Sequence, residues 1–254
     1  MTTTRKISGV TIAYIALALV WGSSFLFMKI GLEGLSAGQV ALGRIALGAL
    51  ALIAIMAFTR RKWPRERRLW LHMIVVAAAM CTVPFTLFAW AETMVPSTVA
   101  SIVNASTPIM TLLLTPLLLP SEKLSKTQQL GLVIGIIGVV VLVGPWRMMV
   151  SGDTVSLPGM LAALGATACY GFGGLYMRRF LANAGYDSIT MAAMQMVVAT
   201  ALSLLAAPFT SLGPVSLTTP VVLSMPALGV LGSGIVASQG LLEKFRKPVV
   251  ASAA

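Results

Sequence analysis

The sequence predicts an all-α polytopic membrane protein with about eight transmembrane helices, and three observations support this prediction. The chain of 254 residues is 57% hydrophobic and only 10% charged, whereas charged residues make up roughly 25% of an average globular protein. Its apolar residues form eight long runs, most of which reach the roughly 20 residues that a helix needs to cross a bilayer. The runs are continuous and do not alternate, which indicates helices and not a β-barrel.

The eight predicted helices follow one another along the chain. They cover residues 12–30, 38–58, 69–90, 97–119, 128–144, 158–177, 188–208 and 219–240. The first run is too long for a signal peptide, and no small-residue cleavage site follows it. Cys81 and Cys169 both fall within predicted helices, where a buried apolar role is favoured over a disulfide. Pro84 predicts a kink in helix 3.

The basic residues predict the orientation of the chain. With the N-terminus in the cytoplasm, all but three of the 18 lysine and arginine residues fall on the inner side, and six of them lie in the loop 59–68. This asymmetry is typical of a multi-pass protein of the inner (plasma) membrane. The net charge of +11 is then explained by topology and by attraction to anionic lipid. We therefore expect the lipid bilayer as a partner and no nucleic acid.

An internal repeat divides the chain. The stretch Trp21–Lys29 returns as Tyr170–Arg178, and in the following run Arg44 aligns with Gln195. A period this long indicates a duplicated half and not a solenoid. Because each copy would contain five helices, the second copy is inserted upside down, as in inverted-repeat transporters. The predicted domains are a first repeat at 1–144 (helices 1–5), a linker at 145–157 and an incomplete second repeat at 158–254 (helices 6–8 and a basic tail).

Polar side chains lie at one level in three predicted helices: Ser24, Arg44 and Asn104. Arg44 is about 9 Å below the outer edge of its helix, where a cation needs an acceptor or a polar cavity. Two interpretations of Arg44 stand equal, a structural arginine bonded to helix-end carbonyls and a solute-binding arginine. The shared level favours a cavity. We expect its lining or supporting residues to be Trp21, Ser24, Arg44, Asn104, Tyr170 and Gln195.

The sequence predicts no catalytic residue, metal site or cofactor. It has a single histidine, no CxxC motif, no paired intramembrane carboxylates and no phosphate-binding loop.

Glu92 ends helix 3 on the outer side, in a position to pair with Arg44, and Lys29 is expected to snorkel to the interface. No acidic residue lies deep in a helix, so a proton-coupling carboxylate has no support. A close-packing stripe is predicted in helix 5 at Gly131, Gly135 and Gly138.

Several of these motifs occur together in a fixed order. They are Trp21-Gly22-Ser23-Ser24-Phe25 with Lys29, then Arg44, Ala100-Ser101 with Asn104 and Pro108, Glu122 followed by Lys123-Leu124-Ser125, and the glycines of helix 5. Over nearly the whole chain this pattern resembles the EamA-type branch of the drug/metabolite transporter superfamily. The resemblance implies ten helices in two inverted five-helix repeats around a central cavity. It also implies alternating access by which a small metabolite is carried, often outward.

The chain departs from this pattern in length. A complete second repeat would extend roughly 40 residues beyond Ala254, so helices 9 and 10 are expected to be missing. A truncated product, a shortened form and a natural variant that closes its cavity as a homodimer all remain open.

The first functional hypothesis is a permease that exports a small metabolite or drug-like solute. The alternative is a non-transporting fragment or partner subunit of such a permease, and a membrane-embedded enzyme is disfavoured.

Overall fold

The computed structural model describes residues 9–122, 124–143 and 156–230, and within these ranges the protein is helical and contains no strand. The helices in these ranges are α1 (Gly9–Gly31), α2 (Ala37–Phe58), α3 (Arg67–Glu92), α4 (Ser97–Leu118), α5 (Lys126–Val143), α6 (Leu157–Leu181), α7 (Ser188–Thr210) and α8 (Thr219–Val230). Each predicted helix corresponds to one of these. Nearly all of the predicted linker 145–157, the end of predicted helix 8 and the basic tail lie outside the described residues.

Five of the described helices, α2, α3, α4, α6 and α7, are long and apolar enough to cross a membrane. Their outer surfaces suit lipid: the exposed fraction is 88% for Phe58, 74% for Leu117 and 85% for Phe209. The exposure of many apolar side chains to water would be energetically unfavourable, whereas their exposure to the hydrocarbon of a bilayer has no such penalty. The prediction of an all-α membrane protein is therefore confirmed with five candidate spans, and the count of eight spans stays a prediction.

Local sequence explains where three of the helices begin. The Ser36 hydroxyl group accepts a hydrogen bond from the Gln39 backbone N–H at 3.4 Å, and the Gln39 side chain accepts one from the Ser36 N–H at 2.8 Å. This reciprocal pair is a capping box. The Asp187 carboxylate accepts a hydrogen bond from the Thr190 N–H at 3.2 Å and caps α7, and Ser156 caps α6. Each cap satisfies a backbone donor that the helix itself leaves unpaired.

Prolines interrupt two of the spanning helices. In α3 the segment Ala78–Thr82 is π-helical and lies just before Pro84. In α4 the helix breaks between Asn104 and Thr107, just before Pro108. A proline has no N–H to bond the carbonyl group four residues earlier, so the regular hydrogen bonding fails at that point. The predicted interruption of helix 3 is thus present as a π-helical turn.

Helix α3 lies at the centre of the described bundle and contacts α1, α2, α4, α6 and α7. Helix α6 packs along α3 and α4, and α2 packs along α7. Glycine permits the close approach of α2 to α7: a Cβ atom at Gly38 would lie 2.1 Å from the carbonyl oxygen of Thr210. In the predicted stripe of helix 5, Gly135 packs against Ile109, whereas Gly131 and Gly138 face open space in the described part of the chain. Among the described residues, the stripe therefore packs against another helix only at Gly135.

The loops gather at two opposite ends of the bundle. At one end Arg61 pairs with Asp187, and Arg178 pairs with Glu122 at 2.7 Å. At the other end the Ser216 N–H donates to the carbonyl oxygen of Gly34 at 2.8 Å. The basic loop 59–68 therefore belongs to the first end, with the other two loops that were predicted to face the cytoplasm. Which side of the membrane this end faces stays a prediction.

Asp187 is an ionisable group at the basic end whose environment changes its proton affinity. Partial burial opposes its ionisation, but hydrogen bonds from Thr190 and Ile189 and the positive charge of Arg61 hold the pKa of Asp187 below its usual value. The carboxylate thus works both as a helix cap and as an ion-pair partner.

Candidate functional site

Arg44 projects from α2 into the bundle, and no described residue accepts a hydrogen bond from its guanidinium group. Its guanidinium carbon lies 4.0 Å from the centroid of the Phe85 ring of α3, which is a cation–π contact. The side chain is half-buried, and it forms no hydrogen bond or ion pair with any residue in the described ranges. The structural interpretation, in which helix-end carbonyls bind this arginine, therefore finds no support in the described part of the chain.

Two of the other predicted residues lie beside Arg44. The Tyr170 ring of α6 is 6.4 Å from Phe85 and 6.0 Å from Phe88, centroid to centroid. The Gln195 amide of α7 donates a hydrogen bond to the Cys81 sulfur at 3.1 Å. Tyr170 and Cys81 are both close enough to Arg44 to interact with it electrostatically.

We name these five residues, Arg44, Cys81, Phe85, Tyr170 and Gln195, the arginine cluster. They come from four helices, α2, α3, α6 and α7, that meet at the π-helical turn of α3. Residues distant in sequence thus place a cation and a phenol ring beside the Phe85 ring. The Gln195 amide group joins them through its hydrogen bond to Cys81. Such convergence of a few polar groups on an apolar surface is typical of a small-molecule site.

The structure does not bring the remaining predicted residues into this cluster. The Trp21 side chain is 53% exposed, which places it on the surface of the described bundle and not in its interior. The Ser24 hydroxyl group donates to the carbonyl oxygen of Val20 in its own helix at 3.0 Å. Asn104 is half-buried at the break of α4. No hydrogen bond or ring contact between described residues joins Trp21, Ser24 or Asn104 to the arginine cluster.

Sequence reasoning missed Cys81 and Phe85 as members of the site. Cys81 was predicted only as a buried apolar residue, and it also accepts the Gln195 hydrogen bond. The available signal was Pro84, which lies next to Phe85 and follows the π-helical turn that contains Cys81. Single π-turns within α-helices occur frequently at functional sites, so the predicted interruption lies in the region of the candidate site.

Glu92 departs from its prediction. Its exposed fraction is 0%, and neither carboxylate oxygen has a hydrogen-bond partner among the described residues. The predicted ion pair with Arg44 is therefore not formed. Lys29 donates from its ammonium group to the backbone carbonyl oxygen of Glu92 at 2.5 Å, and this bond links α1 to the end of α3.

A second candidate location is an apolar cavity of about 370 Å³ between α4, α5 and α6. Val103, Leu113, Val140 and Leu164 are among its lining residues. The hydroxyl group of Ser106, which also lines it, donates to the carbonyl oxygen of Val103 at 2.6 Å. The lining therefore offers no free polar group that would orient a solute, and the arginine cluster is the stronger candidate site.

Comparisons with known proteins agree with this architecture. Residues 8–144 match the EamA-like transporter family. Protein PagO of Salmonella typhimurium is 32% identical over 135 residues, which are 52% of this chain and 43% of PagO, so the chain spans less than half of that relative. A solved crystal structure of a protein shares the fold with a TM-score of 0.62 at 22% identity, over 91% of this chain and 77% of that chain. Because the family match covers more than half of its residues, this chain belongs to the EamA-like transporter family and is an integral membrane protein.

Proposed function

We propose that this protein is a permease that moves a small organic anion across the cytoplasmic membrane, in the outward direction that the family resemblance implies. The observation that carries this proposal is the guanidinium group of Arg44, which faces the bundle and has no hydrogen-bond acceptor among the described residues. A cation inside a membrane protein is costly unless it is paired or functional. The anionic group of a solute would supply the missing acceptor.

The chemistry of the arginine cluster defines the class of solute. A guanidinium group presents paired N–H donors that match two oxygens of a carboxylate, sulfonate or phosphate group. The hydroxyl group of Tyr170 forms no hydrogen bond with a described residue and would donate a further one. The Phe85 and Phe88 rings offer apolar surface beside these donors. We therefore infer a solute that combines one negative charge with an aromatic or apolar body.

Helix packing supports the proposed inverted repeat, in which α1, α2 and α3 correspond to α6, α7 and α8. Helix α3 packs on α6 and α7. The corresponding helix α8 packs on α1 and α2: a Cβ atom at Gly31 would lie 3.4 Å from the Met225 sulfur, and one at Gly229 would lie 2.5 Å from the Leu47 Cβ atom. This correspondence favours repeats at 1–144 and 158–254, with the arginine cluster between them.

The test uses two probes that share a phenyl ring and differ in permanent charge, benzenesulfonate and phenyltrimethylammonium. Neither gains or loses a proton near neutral pH, so passive weak-acid leak is avoided. In proteoliposomes that contain the full chain, we expect radiolabelled benzenesulfonate to cross and phenyltrimethylammonium not to cross. A hydrogen bond to a charged group contributes about 1.5–3 kcal/mol, so Arg44→Gln should weaken benzenesulfonate transport roughly 10- to 150-fold.

The matched control is Lys62→Gln, which removes one positive charge from an exposed loop position and should leave transport unchanged. Equal transport by Arg44→Gln and Lys62→Gln, at equal amounts of folded protein, would refute the assignment of the site. An absence of flux in the unmodified protein would instead favour the alternative, a non-transporting fragment or partner subunit. Crosslinking and native mass measurement would then show whether a homodimer forms.

A further inference from the structure

Glu92 is a fully buried carboxyl group, and no described residue lies in hydrogen-bonding geometry with its oxygens, although the Ser97 hydroxyl group is nearby. It ends α3 with an exposed fraction of 0%, and both of its carboxylate oxygens lack a hydrogen-bond partner among the described residues. A buried carboxylate without a partner is much more costly than its neutral, protonated form. An ionisable residue in this situation inside a membrane protein indicates a functional site, and the arginine cluster does not account for it.

Polar groups from three helices lie close enough to Glu92 to act on its carboxyl group. Lys29 of α1 and Arg44 of α2 supply positive charge, and Ser97 of α4 supplies a hydroxyl group. Helix α6 brings Gly159 against this end of α3, and none of its described residues carries a charge that acts on Glu92. The Lys29 ammonium group is held by the backbone oxygen of Glu92 and not by its carboxylate. Burial thus favours the protonated acid, while two nearby cations favour the ionised form.

We propose that Glu92 is the proton-binding group that couples solute movement to protons, and that an anion bound at Arg44 promotes its protonation. This inference rests on the proposed function, because it needs an anion at Arg44. The anion neutralises one of the two positive charges that stabilise the Glu92 carboxylate. A carboxylate oxygen then accepts a proton to give the neutral acid, and no other bond changes.

Coupling of this kind is reciprocal. If the bound anion increases the proton affinity of Glu92, then the protonated acid must strengthen anion binding at Arg44 by the same factor. Proton and anion therefore cross the membrane together. The direction of transport follows the sum of their two gradients, so outward movement needs a solute gradient larger than the opposing proton gradient.

The first test observes the proton directly and needs no solute. Infrared difference spectra of the purified full chain between high and low pH should contain the C=O stretch of a buried carboxylic acid. This band should vanish in Glu92→Gln and persist in Glu33→Gln, which changes an exposed glutamate at the same end of the bundle. Absence of the band in the unmodified protein, or its persistence in Glu92→Gln, overturns the proposal. If Glu92→Gln fails to fold, the band must shift in Glu92→Asp.

The second test measures coupling with benzenesulfonate in proteoliposomes that contain a trapped pH dye. Entry of benzenesulfonate should acidify the lumen, and its rate should rise by up to about tenfold for each unit of decrease in pH. Glu92→Gln should still carry benzenesulfonate, without acidification and without pH dependence. Flux without acidification in the unmodified protein rejects the coupling and leaves the proposed function standing. An absence of flux rejects both, and the infrared band then reports proton binding alone.

Discussion

Replacement of Gly171 by alanine tests whether the contact between α4 and α6 is as close as the structure shows. A Cβ atom at Gly171 would lie 2.9 Å from the Thr111 backbone nitrogen and 3.0 Å from the Met110 carbonyl carbon. Both are backbone atoms, so no side-chain rotation relieves the contact. The two helices would have to separate by about 0.5 Å, and overpacking of this kind costs about 1–3 kcal/mol.

Gly174 provides a matched control three residues along the same helix. A Cβ atom there meets nothing within 4 Å, so Gly174→Ala should only gain helix propensity, about 1 kcal/mol. Gly171→Ala gains the same helix propensity but loses the close packing of α4 against α6. Its net effect on the free energy of unfolding therefore ranges from about zero to about 2 kcal/mol of destabilisation. The difference between the two variants isolates the packing cost at about 1–3 kcal/mol.

The assay is reversible unfolding in mixed micelles, followed by circular dichroism for both variants under identical conditions. Because Tyr170 is the neighbour of Gly171, separation of the helices should also move the phenol group away from Arg44. Gly171→Ala should therefore bind benzenesulfonate more weakly than Gly174→Ala does. If the two variants unfold at the same denaturant concentration and bind alike, the close contact of α4 with α6 is not present in the folded protein.

Three further predictions concern the ends of the bundle. Asp187→Asn weakens the cap of α7 and removes the ion pair with Arg61, so unfolding should become about 1 kcal/mol easier at neutral pH. Folding lowers the pKa of Asp187, so its carboxylate stabilises the fold at pH values above the pKa of an unfolded aspartate, about 3.9. This stabilisation is lost as the pH falls below that value. In acid titrations of stability, Asp187→Asn should therefore lack this loss. Gln39→Ala removes the capping box of α2 and two hydrogen bonds to the loop before α8, and calorimetry should show about 1–2 kcal/mol of destabilisation. A membrane-impermeant maleimide applied to intact cells should label Glu33→Cys and not Lys62→Cys, and the opposite pattern would reverse the proposed orientation.

The sequence was sufficient to predict the class of protein, the position of each described helix and the grouping of the basic loops. These properties depend on local composition, because apolar runs of sufficient length have few alternatives to a helix in lipid. Caps such as Ser36 and Asp187 then set the helix starts. Prolines set the interruptions of α3 and α4 for an equally local reason, the missing N–H group.

Only the tertiary structure decided which side of each helix faces its neighbours. A residue points in a direction that changes by about 100° at each step along a helix, and an amphipathic stripe normally reveals the buried side. These helices are apolar on all sides, so the sequence contains no such stripe. For that reason the sequence could not show that Trp21 lies on the surface of the described bundle or that Glu92 is completely buried. The expectation that Arg44, Tyr170 and Gln195 share a binding site stays a prediction.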